Sequence, residues 1–245
     1  MRAPDPGRPS AAGFPTTHWS RVLAAGGDDP GSREALAALC RDYWYPLYGF
    51  VRLKGHSPED AQDLVQGLFA ELLGRGALQG LDPARGRFRS FLMACCSRFI
   101  AKHHARQRAL KRGGGLAPIT INWAEGESRL AAEPAHDETP ERLFERRWAA
   151  TLLERVLQRV DAEMARSDRK ALYERLRPGL LGQEDAPPYR QVAEEFGLTE
   201  GAVKAAAHRL RAVYRRRVRE EVARTVGDQA EVDAECAALL DILAS

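Results

Sequence analysis

The residues Tyr189 to Arg211 read YRQVAEEFGLTEGAVKAAAHRLR. Ala193 supplies the small side chain needed where two helices cross closely. Gly197, four residues later, suits a left-handed turn position, and Thr199 is placed to cap a second helix. Val192, Phe196, Leu198, Val203 and Ala206 are apolar where the two helices should pack. At about 100° per residue, Val203, Ala206, Leu210 and Tyr214 share one side of the second helix. Gly201, Ala205, His208, Ala212 and Arg215 face the other way, flanked by Lys204, Arg209, Arg211 and Arg216. Small residues let a helix backbone enter the major groove, the Ala205 methyl can meet a thymine methyl, and cations reach phosphates. The spacing predicts a DNA-reading helix-turn-helix. A plain helical hairpin accounts for the apolar positions but not for the cationic face.

A second basic stretch precedes it. Arg85 to Arg112 holds nine Lys/Arg and no acid, and Gly201 to Arg219 holds seven and no acid. These 16 positive charges leave −13 for the rest of a chain whose net charge is only +3. Two basic blocks on an acidic chain point to two contacts with a polyanion. Within Phe88 to Lys111, Phe88, Leu92, Cys95, Phe99 and Leu110 form an apolar side. Arg89, Ser97, His104, Arg108 and Lys111 lie opposite. Mixed rings and cations suit single-stranded DNA, although Phe91 and Phe99 read more simply as core. Cys95 and Cys96 read as small buried hydrophobes. His103 and His104 have no metal-ligand companion.

A third constellation is acidic. Ser57 can cap a helix that has Pro58 at its first position and Asp60 three residues after the cap. The helix has Ala61, Leu64, Val65, Leu68, Phe69 and Leu72 on one side. Glu59, Asp63, Gln66 and Ala70 form a stripe on the other, with Asp60 and Gly67 beside it. Such a stripe is solvated surface, a docking face for a basic helix, or a carboxylate metal site. No His lies on the helix, only His56 before the cap, which disfavours the metal.

The elements that position these groups read as helices almost throughout. Arg33 to Val51 is aromatic-rich, with Pro46 implying a kink or break. Phe88 to Lys111 is one long helix stopped by Gly113, Gly114 and Gly115. Residues 114–140 are irregular, with only Ile119 to Ile121 extended. Asn122 to Glu145 carries seven acids against two bases. Thr139 and Pro140 open a helix over Arg142 to Ala165, with Leu143, Trp148, Leu152, Leu153, Val156 and Val160 on one side. A short helix runs from Asp168 to Leu176, before Pro178. Asp228 to Leu243 is a last amphipathic helix. The expected fold is all-α: two small helical domains joined by a flexible linker, the second containing the helix-turn-helix. The partition is 1–15 disordered, 16–113, linker 114–140, 141–226, and a helical tail 227–245.

With 245 residues, 44% hydrophobic and 29% charged, the chain is neither wholly disordered nor collagen-like. Four cysteines without a CxxC suggest neither a disulfide framework nor a cysteine zinc site. The longest apolar runs, such as Phe91 to Cys96, are far too short for a membrane span. The Pro-rich start lacks the apolar segment of a signal peptide. A soluble, reducing, cytoplasmic setting is expected, with no metal and no cofactor.

Three segments, in this order, resemble the extracytoplasmic-function branch of the sigma-70 family, the bacterial RNA polymerase initiation factors. SPEDAQDLVQGLFAELL resembles region 2.2, typically an E-D-x-x-D-L-x-Q-E-x-F helix. GRFRSFLMACCSRFIAKHHARQRALKR resembles regions 2.3 and 2.4, and YRQVAEEFGLTEGAVKAAAHRLRAVYRR resembles region 4.2. The resemblance covers about Thr16 to Val226. Gly67 departs from it, standing where an acid is usual; a long linker and a helical tail after Val226 also exceed the minimal pattern. The resemblance implies a non-enzymatic factor. Glu59, Asp60, Asp63 and Gln66 would dock on the β′ clamp helices of core RNA polymerase, with the β flap a further contact. Arg89, Arg98, Lys102, Arg106 and Arg108 would hold the −10 element of promoter DNA as a single strand. Thr199, Glu200, Lys204, Ala205, His208, Arg209, Arg211 and Arg215 would serve duplex DNA at −35. The acidic linker would thread toward the polymerase interior. An anti-sigma protein is a further candidate partner, and no membrane is expected. Two rival readings are a free-standing helix-turn-helix regulator and a metal-dependent helical enzyme using Glu59, Asp60 and Asp63.

Overall fold

The computed structural model describes residues 30–74, 78, 81, 87–107, 121–133, 138–226 and 229–244. Among them, every regular element is a helix: α1 (Pro30–Leu53), α2 (Pro58–Gly74), α3 (Phe88–Gln107), α4 (Trp123–Ala132), α5 (Pro140–Met164), α6 (Lys170–Leu180), α7 (Tyr189–Phe196), α8 (Glu200–Ala223) and, after a 3₁₀ turn at Gln229–Glu231, α9 (Val232–Ala244). The expected all-α class holds. Residues 1–15 and Arg108 lie outside the described residues, as does the stop expected at residues 113–115.

The helix starts follow the local chemistry. Ser57 Oγ accepts the Asp60 N–H at 3.1 Å, ahead of Pro58. Thr139 Oγ1 accepts the Arg142 N–H at 3.3 Å, ahead of Pro140. Pro at the first position lacks only an N–H that would have no helical partner.

Two prolines behave otherwise than their type suggests. Pro46 lies inside an unbroken α1. An interior proline costs about 3 kcal/mol. Tyr43, Tyr45, Leu47, Tyr48, Phe50 and Val51 are all buried around it, and each such side chain contributes roughly 1.5–3 kcal/mol, so burial wins. Pro178 likewise sits inside α6, which runs on to Leu180 rather than stopping at Leu176. Arg177 ties that last turn to Asp161 of α5 at 3.0 Å.

The apolar residues form two cores. The first joins α1, α2 and α3 to Phe144, Trp148, Leu152 and Val156 of α5, and takes Val222, Val226, Val232 and Leu239 from the other end of the chain. The second gathers Val160, Tyr173, Leu176, Val192, Ala193, Val203, Ala207 and Leu210. Helix α5 therefore serves both. The boundary expected at 114–140 does not separate the cores, because α5 beyond it packs on α1, and α9 packs on α5 and α8.

The expected irregular linker is also corrected. Asn122 caps a helix, α4, that lies on α1. Trp123 packs edge-on against Trp44, with ring centroids 5.7 Å apart. Gly126 lies under the Trp44 ring, where an added Cβ would come within 2.9 Å. Glu127 accepts from the Tyr48 hydroxyl at 2.6 Å and from Arg52 Nε at 2.7 Å. Glu133 accepts from Tyr45 at 2.7 Å and from Arg147 Nη2 at 2.6 Å. The linker's acidity is thus matched by cations and phenols of α1 and α5.

Acid should loosen α4. The Arg52 hydrogen bond, helped by Tyr48, holds the Glu127 carboxyl below its ordinary 4.5 against the opposing effect of burial. A depressed folded value contributes stability above pH 4.5 that is lost as pH falls through that value. Amide exchange across residues 123–132 should be faster in Glu127→Gln than in wild type at neutral pH, and the two should converge well below pH 4.5. An undiminished difference in acid would show that this pair does not hold the helix.

Candidate nucleic-acid interface

Helices α7 and α8 flank a three-residue turn, Gly197 to Thr199. Gly197 has φ of 62°, the left-handed region that favours glycine. The Leu198 N–H reaches back to the Ala193 carbonyl at 2.9 Å. Thr199 Oγ1 accepts the Ala202 N–H at 3.2 Å, as its position predicts. Val203, Ala207 and Leu210 are buried; Ala206, which the sequence places among them, is only half-buried.

The opposite face of α8 is open. Thr199, Glu200, Gly201, Lys204, Ala205, His208, Arg209, Arg211 and Arg215 are all exposed. Lys204 pairs with Glu200 one turn back at 2.7 Å. That hydrogen bond holds the Glu200 carboxyl below, and the Lys204 amine above, its ordinary value. Arg211 Nη2 donates to the Tyr189 hydroxyl at 2.8 Å, bracing α7 against α8. The far end of the basic block is differently employed. Arg216 faces Glu220, Arg217 bonds Glu163 and Glu220, and Arg219 pairs with Asp233 of α9. The exposed cations of α8 that face neither Glu220 nor α9 are Lys204, Arg209, Arg211 and Arg215, above small residues that leave the backbone approachable.

Of the five cations expected to contact DNA, three have described side chains, and these three are differently employed. Arg98 is exposed and bonds locally to the Ala94 carbonyl at 3.3 Å. Lys102 is half-buried against Glu71 at 2.9 Å. Arg106 lies on the helix, with its side chain outside the described residues. Arg89 corrects the sequence expectation. Its side chain is 2% exposed, lies over the Trp148 ring at 4.1 Å and pairs with Glu235 of α9. It is unavailable to DNA in this arrangement. Sequence periodicity placed it opposite the apolar side of α3 but carried no sign of Glu235 and Trp148, which bury it.

On α2, Glu59, Asp60 and Asp63 are exposed and Gln66 is half-buried. Gly67 lies against Phe99 of α3, where an added Cβ would meet the ring at 2.8 Å. Glycine at position 67 thus has a packing cause. No group of three or more His, Cys, Asp or Glu among the described residues is arranged to hold a metal ion. Burial pushes the Cys40 and Cys96 thiols up to about 12, consistent with inert core residues. No described helix is long and apolar enough to cross a membrane.

One concave feature borders α8. A groove of about 300 Å³ runs between the end of α5, α6 and α8, lined by Met164, Leu172, Leu176, Ala206, Leu210 and Val213.

Sequence reasoning missed the buried carboxylates. Glu221 of α8 is fully buried among Arg155, Arg159 and Arg224. Arg155 also bonds Asp42 of α1 at 2.6 Å. The only sequence signal was a Glu on the apolar side of a helix, two residues from an Arg-rich run. No protein-family model matches the chain, and no curated protein or solved structure matches it.

Proposed function

We propose that the chain is an RNA polymerase initiation factor of the extracytoplasmic-function sigma type. The observation that carries this is the open face of α8. Small residues at its start and arginines further along follow a capped, left-handed turn, on a helix whose other side is core. That face fits a major groove, with phosphates meeting the arginines. The exposed acidic stripe of α2 fits a basic partner such as the β′ clamp helices. The apolar groove beside α6 fits a side chain of the β flap. The factor supplies no bond-breaking chemistry; it selects the −35 and −10 elements and holds the opened strand. Its site of action would be the cytoplasm.

Burial of Arg89 favours a second reading, a regulator that uses the α8 face alone without polymerase. Run-off transcription with core polymerase on a random promoter library separates them. The sigma reading expects transcripts that share −35 and −10 sequences. It also expects Asp63→Arg to compete for core at least about tenfold less well, since a reversed charge at a docked face costs on the order of one or more kcal/mol. No transcript and no association with core would leave only the regulator.

A further inference from the structure

Resting on the promoter reading, we propose that α9 is a built-in competitor for the opened DNA strand, and that Glu235 occupies the place of a phosphate on the basic helix. Glu235 is 2% exposed and sits between two arginines of the −10 segment. It pairs with Arg89, equally buried, and with Arg87 Nε at 2.8 Å. A carboxylate held by two guanidinium groups has the recognition chemistry of a backbone phosphate. Trp148 covers the face of the Arg89 guanidinium, leaving its edge for an anion.

The pairing is incomplete. Among the described residues Arg89 Nη2 and Nε make no hydrogen bond, with Glu145 3.7 Å from Nε, and Glu235 Oε2 meets Arg87 as an ion pair without one. Burying an ion pair with donors unsatisfied returns little net stability, because desolvation offsets the attraction. Burial of Val232 and Leu239 of α9 in the first core and the exposed Arg219–Asp233 pair complete the latch. A phosphate backbone offers more acceptor oxygens than one carboxylate. It can take the unused donors once α9 leaves. The opened −10 strand then binds only the open fraction, and its apparent affinity is lowered by that fraction.

The test uses the full chain in three variants: Glu235→Gln, Asp233→Asn and, as a charge-matched control, Asp241→Asn, which changes an exposed residue of the same helix. Binding of a short fluorescent single-stranded DNA and run-off transcription with core polymerase are measured for each. Glu235→Gln and Asp233→Asn should bind the DNA more tightly than wild type. The gain should be roughly tenfold if about one molecule in ten is open in wild type. Asp241→Asn should behave as wild type. Should Glu235→Gln fail to fold, the exposed Asp233 substitution decides alone. Equal affinities in all four proteins, or equal gains in all three variants, overturn the latch while wild-type transcription leaves the promoter reading standing. Absence of both transcription and DNA binding in every form overturns that reading and the latch with it.

Discussion

Ala205→Glu should abolish −35 recognition and leave binding to core polymerase unchanged. Position 205 is exposed in the middle of the open α8 face. A glutamate there adds bulk where the helix must approach closely and places a negative charge beside phosphates. Loss of one base contact costs about 1–3 kcal/mol, and like-charge juxtaposition adds more. Neighbouring substitutions should separate two roles. His208→Ala and Arg209→Ala should change which −35 bases are preferred. Lys204→Ala should do so less, because Lys204 is already paired with Glu200. Arg215→Ala should weaken all promoters alike and lower the salt-dependence slope by about one, since phosphates carry no sequence. A promoter-library selection reads both outcomes. An unaltered −35 preference in the Ala205, His208 and Arg209 variants would mean that this helix reads no bases.

The second large effect is on stability. Glu221→Ala should destabilise the fold by about 3–5 kcal/mol, the usual cost of leaving buried charge without its partner. Glu221 is fully buried, and its removal strands Arg155, Arg159 and Arg224 around an empty position. Arg159 is 40% exposed, so water relieves part of the cost and the lower end of that range is expected. Even so, this is a large share of the roughly 5–15 kcal/mol that a domain typically has. Because Arg155 also holds Asp42 of α1, the loss should loosen the packing of α5 against both α1 and α8. Urea denaturation measures it. A loss under about 1 kcal/mol would show that the cluster contributes nothing beyond its surroundings.

Local chemistry made several elements readable without coordinates. Ser57-Pro58 and Thr139-Pro140 announce helix starts because a side-chain oxygen and a missing N–H act within one turn. Gly197 and Thr199 define the α7–α8 turn for the same reason. The exposed faces of α2 and of the first turns of α8 followed from periodicity, since the opposite side of each is apolar there. Ion pairing across the chain is a different matter. Arg89 and Glu235 lie 146 positions apart, and nothing in either neighbourhood marks one as the partner of the other. Helix α4 was illegible because Trp123, Gly126 and Leu130 are too few to make an apolar stripe, and its acids mimic a solvated linker. They become structural only against Arg52, Arg147 and the phenols of Tyr45 and Tyr48.

By itself, then, the amino-acid order determined the helical class, most helix starts and the outward chemistry of α2 and α8, all of which are set by interactions within a few residues. Tertiary structure alone decided which of the basic residues remain available. It buried Arg89 beneath α9, laid the acidic α4 on α1 and made α5 common to two cores, because long-range pairing and desolvation depend on which surfaces meet.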